Sequence, residues 1–211
     1  MLVVGKFDFP QFTGVRCLMM PFIQGDPDSV PDEYRRYSEF ISRFYLEKGE
    51  IGFLTIDESE VQAGKPHRGA RAKYGRALHT EAGKKANARY GWGDTGGDTD
   101  GGTYTWGDFK NVLLDPDCKM LIGSNSSNTC AVWDATHEDT SFDGDIGNFA
   151  DKYPYEEAIV LSAGEICQIG ILTPHESLPV QKTHDRQFVR IVGSGVKGRE
   201  PYFTINPLVQ I

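Results

Sequence analysis

Five histidines stand in this chain of 211 residues, and the setting of three suggests metal chemistry. His79-Thr80-Glu81 and His137-Glu138-Asp139 each place an acid two residues after an imidazole. Along a β-strand, residues i and i+2 face the same side, so such a pair can reach one cation. A second imidazole from a neighbouring strand would complete a two-His-one-carboxylate face that leaves coordination positions open. His175 is the candidate third ligand. It follows the apolar run "EICQIGILTP" and is braced by Pro174 and Pro179. Further on, "RQFVRIV" puts Arg186, Phe188 and Arg190 on one strand face. Two guanidinium groups on an inward face are costly to bury without an anionic partner. A single H-x-acid pair is commonly exposed polarity, and His175 could merely cap a turn. The order of the features carries the reading: an H-x-acid pair, a strand-end histidine, then two same-face arginines.

The elements that must position these groups are mostly strands. "GVRCLMMPFI" and "EIGFLTID" read as strands near the N-terminus. Between them, residues 31–47 form an expected amphipathic helix. Pro31 suits the first turn, Asp32 and Glu33 favour the positive end of the dipole, and Gly49 is a stop. Tyr34, Tyr37, Ile41, Phe44 and Tyr45 recur at helical spacing and predict an aromatic face packed on a sheet. From Val112 onward the chain alternates short apolar runs and turns: "NVLLD", "KMLIGSN", "TCAVWDA", "EAIVLS", "EICQIGIL", "RQFVRIVGS" and "PYFTINP". Helix and strand do not alternate, so a parallel sheet is not expected. Gly91 to Gly107 is rich in glycine and aspartate and reads as a long loop. No G-x-G-x-x-G opens a helix in the chain, and no phosphate-binding G-x-x-x-x-G-K-[ST] is present.

Hydrophobic residues make up 39 % and charged residues 25 %, the balance of an ordinary soluble globular protein. The net charge of −8 argues against general affinity for nucleic acid or anionic membranes. No apolar run approaches a membrane span, and "MLVVGKFDFPQF" lacks the basic segment and long apolar stretch of a signal peptide. Cys17, Cys118, Cys130 and Cys167 form no C-x-x-C pair, and three lie in apolar runs. They read as buried free thiols in a cytoplasmic protein.

The stretch "AGEICQIGILTPHESLPVQKTHDRQFVRI" resembles the last strands of the double-stranded β-helix, cupin-like oxygenases that depend on Fe(II) and 2-oxoglutarate. In that family a glycine turn leads into a strand whose histidine is the distal metal ligand. A Pro-Val pair follows, and an arginine on the last strand holds the far carboxylate of 2-oxoglutarate. His175, Pro179-Val180 and Arg186, eleven residues after His175, match that pattern. Arg190 matches the longer spacing of some members. His137-Asp139 lies only 38 residues before His175. His79-Glu81 lies 96 before it and precedes the strands the family leads one to expect, so the resemblance favours this pair. Glutamate is the rarer carboxylate at that position.

The resemblance therefore implies a mainly β fold, a jelly roll with the N-terminal helix packed on one sheet. A single domain over 1–211 is expected, with residues 1–63 as cover and 64–211 as the β-helix core. Fe(II) would be held by His79, Glu81 and His175, with 2-oxoglutarate on Arg186 or Arg190. The reaction would oxidise a small-molecule substrate with release of succinate and CO2. Two other readings stand beside it: a metal-dependent cupin enzyme without 2-oxoglutarate, and a non-catalytic jelly-roll binding protein. Residues 65–89 carry eight Lys or Arg and one acid, Glu81. Such a run is usually a solvated face. In it Arg68, Arg71 and Arg76 are candidates for gripping an anionic substrate. Trp92, Tyr104 and Trp106 are candidates for a lid over the site, Trp92 also for substrate contact.

Overall fold

The computed structural model describes residues 1–67, 75–85, 89–92, 112–139 and 144–210. The strands are β1 (Leu2–Lys6), β2 (Arg16–Ile23), β3 (Ile51–Val61), β4 (Leu78–His79), β5 (Ala82–Lys85), β6 (Arg89–Trp92) and β7 (Leu113–Leu114). They continue with β8 (Lys119–Ser124), β9 (Cys130–Val132), β10 (Ile159–Val160), β11 (Glu165–Gly170), β12 (His175–Ser177), β13 (His184–Val192) and β14 (Val196–Lys197). The fold is mainly β. A six-stranded sheet runs β1-β11-β8-β13-β3-β2, a four-stranded sheet runs β10-β9-β12-β4, and a second four-stranded sheet runs β14-β7-β6-β5. The pairings are antiparallel. Strands β1 to β3, read from the sequence as part of a cover over the core, are members of the large sheet.

Register decides what each face of that sheet carries. In its middle, Arg186, Phe188 and Arg190 of β13 lie opposite Ser59, Asp57 and Thr55 of β3. On the other side Phe188 and Arg190 lie opposite Ser124 and Ile122 of β8. Because side chains alternate, these residues share one face. On that face Met120, Ile122, Cys167, Ile169 and Val192 join Cys130 and Val132 of β9 in one cluster, which fills the space between the large sheet and its four-stranded neighbour. The opposite face carries Leu54, Ile56, Leu121, Val189 and Ile191, packed with Tyr34, Tyr37, Phe40, Ile41 and Phe44. The aromatic segment thus covers the large sheet as its spacing predicts. Fully burying each such side chain is worth about 1.5–3 kcal/mol.

The segment is shorter and tighter than the expected helix over 31–47. Asp32–Tyr37 is a 3-10 helix, and only Ser38–Arg43 (α1) is α-helical. At three residues per turn Tyr34 and Tyr37 stack on one line toward the sheet. The helix stops at Phe44, whose backbone is extended (φ −117°, ψ 109°). Successive side chains then point apart, so Phe44 is buried while Tyr45 is 40 % exposed. The run "PYFTINP", expected as a strand, is turn and coil. Its Thr204 nevertheless exchanges two hydrogen bonds with the backbone of Leu18: Leu18 N donates to Thr204 Oγ1 (2.9 Å) and Thr204 N to the Leu18 carbonyl (2.8 Å). This contact falls where β2 slips register against β3, between Cys17 and Met20. There Met19 adopts φ 45°, uncommon for a side-chain-bearing residue, and its N–H turns to Thr55 Oγ1 (3.1 Å).

Candidate metal centre

His79 and His175 are directly opposed across the β4–β12 pair. Cross-strand neighbours bring their side chains together, and the two ring centroids are 4.1 Å apart. β12 is centred in its sheet, with His175 also opposite Val132 of β9. His175 begins its strand, although the sequence suggests that it ends one. The preceding turn is closed by Thr173 N donating to the Gly170 carbonyl (3.1 Å) and Gly170 N to Thr173 Oγ1 (3.1 Å). Glu81 stands just past the end of β4, where the chain leaves one sheet for the next. Ala82 N fixes that exit by donating to the Ile171 carbonyl (3.1 Å).

The three side chains are buried, and their nearest nitrogen and oxygen atoms all lie within 4.8 Å of one another. His175 Nε2 is 3.8 Å from Glu81 Oε1. His79 Nδ1 donates to the Ala77 carbonyl (2.6 Å) and His175 Nδ1 to the Thr173 carbonyl (2.9 Å). A carbonyl only accepts, so each ring carries a proton on Nδ1, and Nε2 is the atom a metal would take. Metal-ligating histidines are usually fixed by such a bond at the other nitrogen. The donor set, two Nε2 atoms and a carboxylate, fits a divalent transition metal with open positions. His79, Glu81 and His175 therefore could hold a metal ion, and they are the one such group among the described residues.

The alternative pair is placed elsewhere. His137 Nε2 donates to the Asp139 carbonyl (3.0 Å), and Nδ1 pairs with the Tyr153 hydroxyl (2.6 Å). Its ring packs on Phe149 and burial lowers its pKa. The Asp139 side chain is exposed. With both ring nitrogens engaged, His137 serves the packing of the segment around Tyr153.

A cavity adjoins the candidate centre and is lined by His79, Glu81, His175, Arg186, Asp57 and His67 among others. Arg186 is 3 % exposed. Its Nε donates to Ser124 Oγ (3.2 Å) and its Nη2 lies 3.5 Å from the Thr129 carbonyl. Arg190 shares its strand face but has a different neighbour. It is 0 % exposed and its Nη1 donates to Glu81 Oε1, while Nη2 lies 3.4 Å from Thr55 Oγ1. Arg76, a candidate for substrate binding from the sequence, is engaged within the fold. Its Nε and Nη2 grip Glu176 Oε2 (3.0 and 2.7 Å), its Nη1 reaches the carbonyls of Ala150 and Tyr153, and it stacks over Tyr155. Arg68, Arg71, Tyr104 and Trp106 lie outside the described residues, as does the side chain of Trp92 at the end of β6.

Asp57 and His67 were not singled out by the sequence as site residues. Arg16 Nε reaches Asp57 Oδ1 at 2.9 Å, Ser59 Oγ donates to the same oxygen (3.0 Å), and His67 Nε2 is 3.2 Å from Oδ2. Burial works to raise the Asp57 pKa, but His67, Arg16 and Ser59 outweigh it and hold the carboxyl at about 2. The sequence signal was present in "TIDESE", where three alternate inward positions of a strand, Thr55, Asp57 and Ser59, are polar. His67 reaches the cavity because Gly64 N donates to the Val180 carbonyl (2.8 Å) and Val180 N to the Lys65 carbonyl (3.0 Å).

Comparison with known protein families, with curated proteins and with solved structures finds no match to this chain.

Proposed function

We propose that the chain is a non-haem Fe(II)- and 2-oxoglutarate-dependent oxygenase acting on a small molecule, with a double-stranded β-helix as its scaffold. The strand order supports the scaffold. From β3 to β13 the chain passes back and forth between the large sheet and the β10-β9-β12-β4 sheet, with β5 to β7 inserted after β4. That is how a jelly roll is wound.

One observation carries the function: a buried arginine, Arg186, lines the same cavity as the His79, Glu81 and His175 group. A dicarboxylate could span this cavity, with one end toward the metal and the other on the Arg186 guanidinium fork. When bound, Fe(II) and 2-oxoglutarate would supply the oxidising chemistry. The chain itself orients the two imidazoles through the Ala77 and Thr173 carbonyls, keeps the centre buried, and presents Arg186. Asp57 and His67 give the cavity a second polar wall for the primary substrate. The test is succinate formation from 2-oxoglutarate by Fe(II)-loaded protein in air. Turnover that disappears in His175→Ala is the expected result. Metal binding without succinate would leave a metal-dependent cupin enzyme, and no metal binding would leave a binding protein.

A further inference from the structure

We propose that Arg190 is a positioning residue for the Glu81 ligand, an inference that rests on the metal reading. Arg190 and Glu81 are 0 % and 1 % exposed at their side chains, and Glu81 Oε1 accepts from Arg190 Nη1. The same oxygen is the one that faces His175 Nε2 at 3.8 Å. Glu81 lies beyond the last residue of β4, where strand pairing no longer dictates its direction. A glutamate side chain has three rotatable bonds, so something else must aim it. Arg190 sits deep in β13, the central strand of the large sheet, between β3 and β8. A planar guanidinium on such a strand is a rigid arm. It reaches across the space between the sheets and sets where the carboxylate lies relative to the imidazoles.

The arm has its own support. Arg190 Nη2 lies 3.4 Å from Thr55 Oγ1, which also accepts the Met19 N–H (3.1 Å) from the β2 bulge. Thr55 is itself 0 % exposed and directly opposite Arg190 in register. The line that ends at Glu81 thus starts from three strand positions, Met19 on β2, Thr55 on β3 and Arg190 on β13. Arg190 also supplies the opposite charge that lets an ionised carboxylate stay buried before any metal arrives.

The experiment is a Co(II) titration of the full chain, followed by the ligand-field absorption, with folding checked by circular dichroism. Arg190→Met should weaken Co(II) binding by about 10–100-fold and alter the band shape, as expected when a bond orienting a ligand is lost. Arg190→Lys should recover part of the affinity, because the charge returns without the planar fork. Thr55→Val keeps both charges and should weaken binding by roughly two- to tenfold. It and Arg190→Lys decide the matter if Arg190→Met does not fold. A folded Arg190→Met that binds Co(II) as tightly as the unsubstituted chain with the same spectrum would overturn the proposal, as would wild-type behaviour of both supporting variants. Failure of the metal reading is seen separately, as absence of Co(II) binding in the unsubstituted chain.

Discussion

Glu58→Gln should destabilise the protein. The Glu58 residue is 2 % exposed and its carboxylate is the junction of three segments. Oε2 accepts from the backbone N–H groups of Thr13, Gly14 and Val15 (2.6, 2.7 and 3.2 Å) and from Thr13 Oγ1 (3.1 Å). Oε1 accepts from Tyr37 Oη (2.7 Å) and Gln187 Nε2 (3.0 Å). Every neighbour is a donor, so an amide must turn its NH2 against donors in either orientation. Hydrogen bonds to a charged group are worth about 1.5–3 kcal/mol each, and they are not additive in one cluster. Losing the charge and inverting one end should cost about 2–4 kcal/mol, or roughly 4–16 °C in Tm for a chain of this size. The pH dependence follows from the same contacts. Burial works to raise the Glu58 pKa, but its hydrogen bonds prevail and lower it. A carboxyl with a lowered folded pKa stabilises fully above its unfolded value, about 4.3, and loses that contribution as pH falls through the folded value. Thermal unfolding of both proteins between pH 7 and pH 3 is the assay. The gap in Tm should be widest near neutrality and narrow below about pH 4. A gap under about 2 °C at pH 7, where at least 4 °C is expected, would rule out this role for the Glu58 carboxylate, as would one that does not change with pH.

Three further outcomes are expected. His79→Ala and His175→Ala should each lose Co(II) binding at neutral pH, while His137→Ala should keep it, as equilibrium dialysis would show. Arg76→Met should lower stability by about 3–5 kcal/mol in denaturant titration, because the buried Glu176 carboxylate would lose the guanidinium that balances its charge. Gly164→Ala should destabilise measurably in the same assay. Gly164 has φ +80° and a Cβ there would stand 2.7 Å from the Phe7 carbonyl oxygen, so wild-type stability would contradict the packing described.

What was legible in the sequence were rare residue types in a fixed order. His79, Glu81, His175 and Arg186 could be named because imidazoles are few and strand alternation dictates which side chains share a face. The aromatic cover was legible for the same reason, through the spacing of Tyr34, Tyr37, Ile41 and Phe44. Helix length was not, because the end at Phe44 is set by packing on the sheet and not by Gly49. Nor was the partner of Arg190. Its contact with Glu81 spans 109 residues and depends on the register of β13 against β3, which no local pattern encodes. Asp57 and His67 stayed hidden because the turn that brings His67 back is fixed by Val180, far along the chain. The pairing of β3 between β2 and β13 has no local signal, because β13 lies more than a hundred residues later.

The proposed function stands on a dicarboxylate held between the metal group and Arg186. The most direct measurement is an anaerobic titration of 2-oxoglutarate into Fe(II)-loaded protein, followed by the metal-to-ligand charge-transfer band. A saturable band is expected in the unsubstituted chain, with affinity weakened by roughly tenfold or more in Arg186→Lys, about the loss of one charge-assisted hydrogen bond. No band, or a band with unchanged affinity in Arg186→Lys, would contradict it.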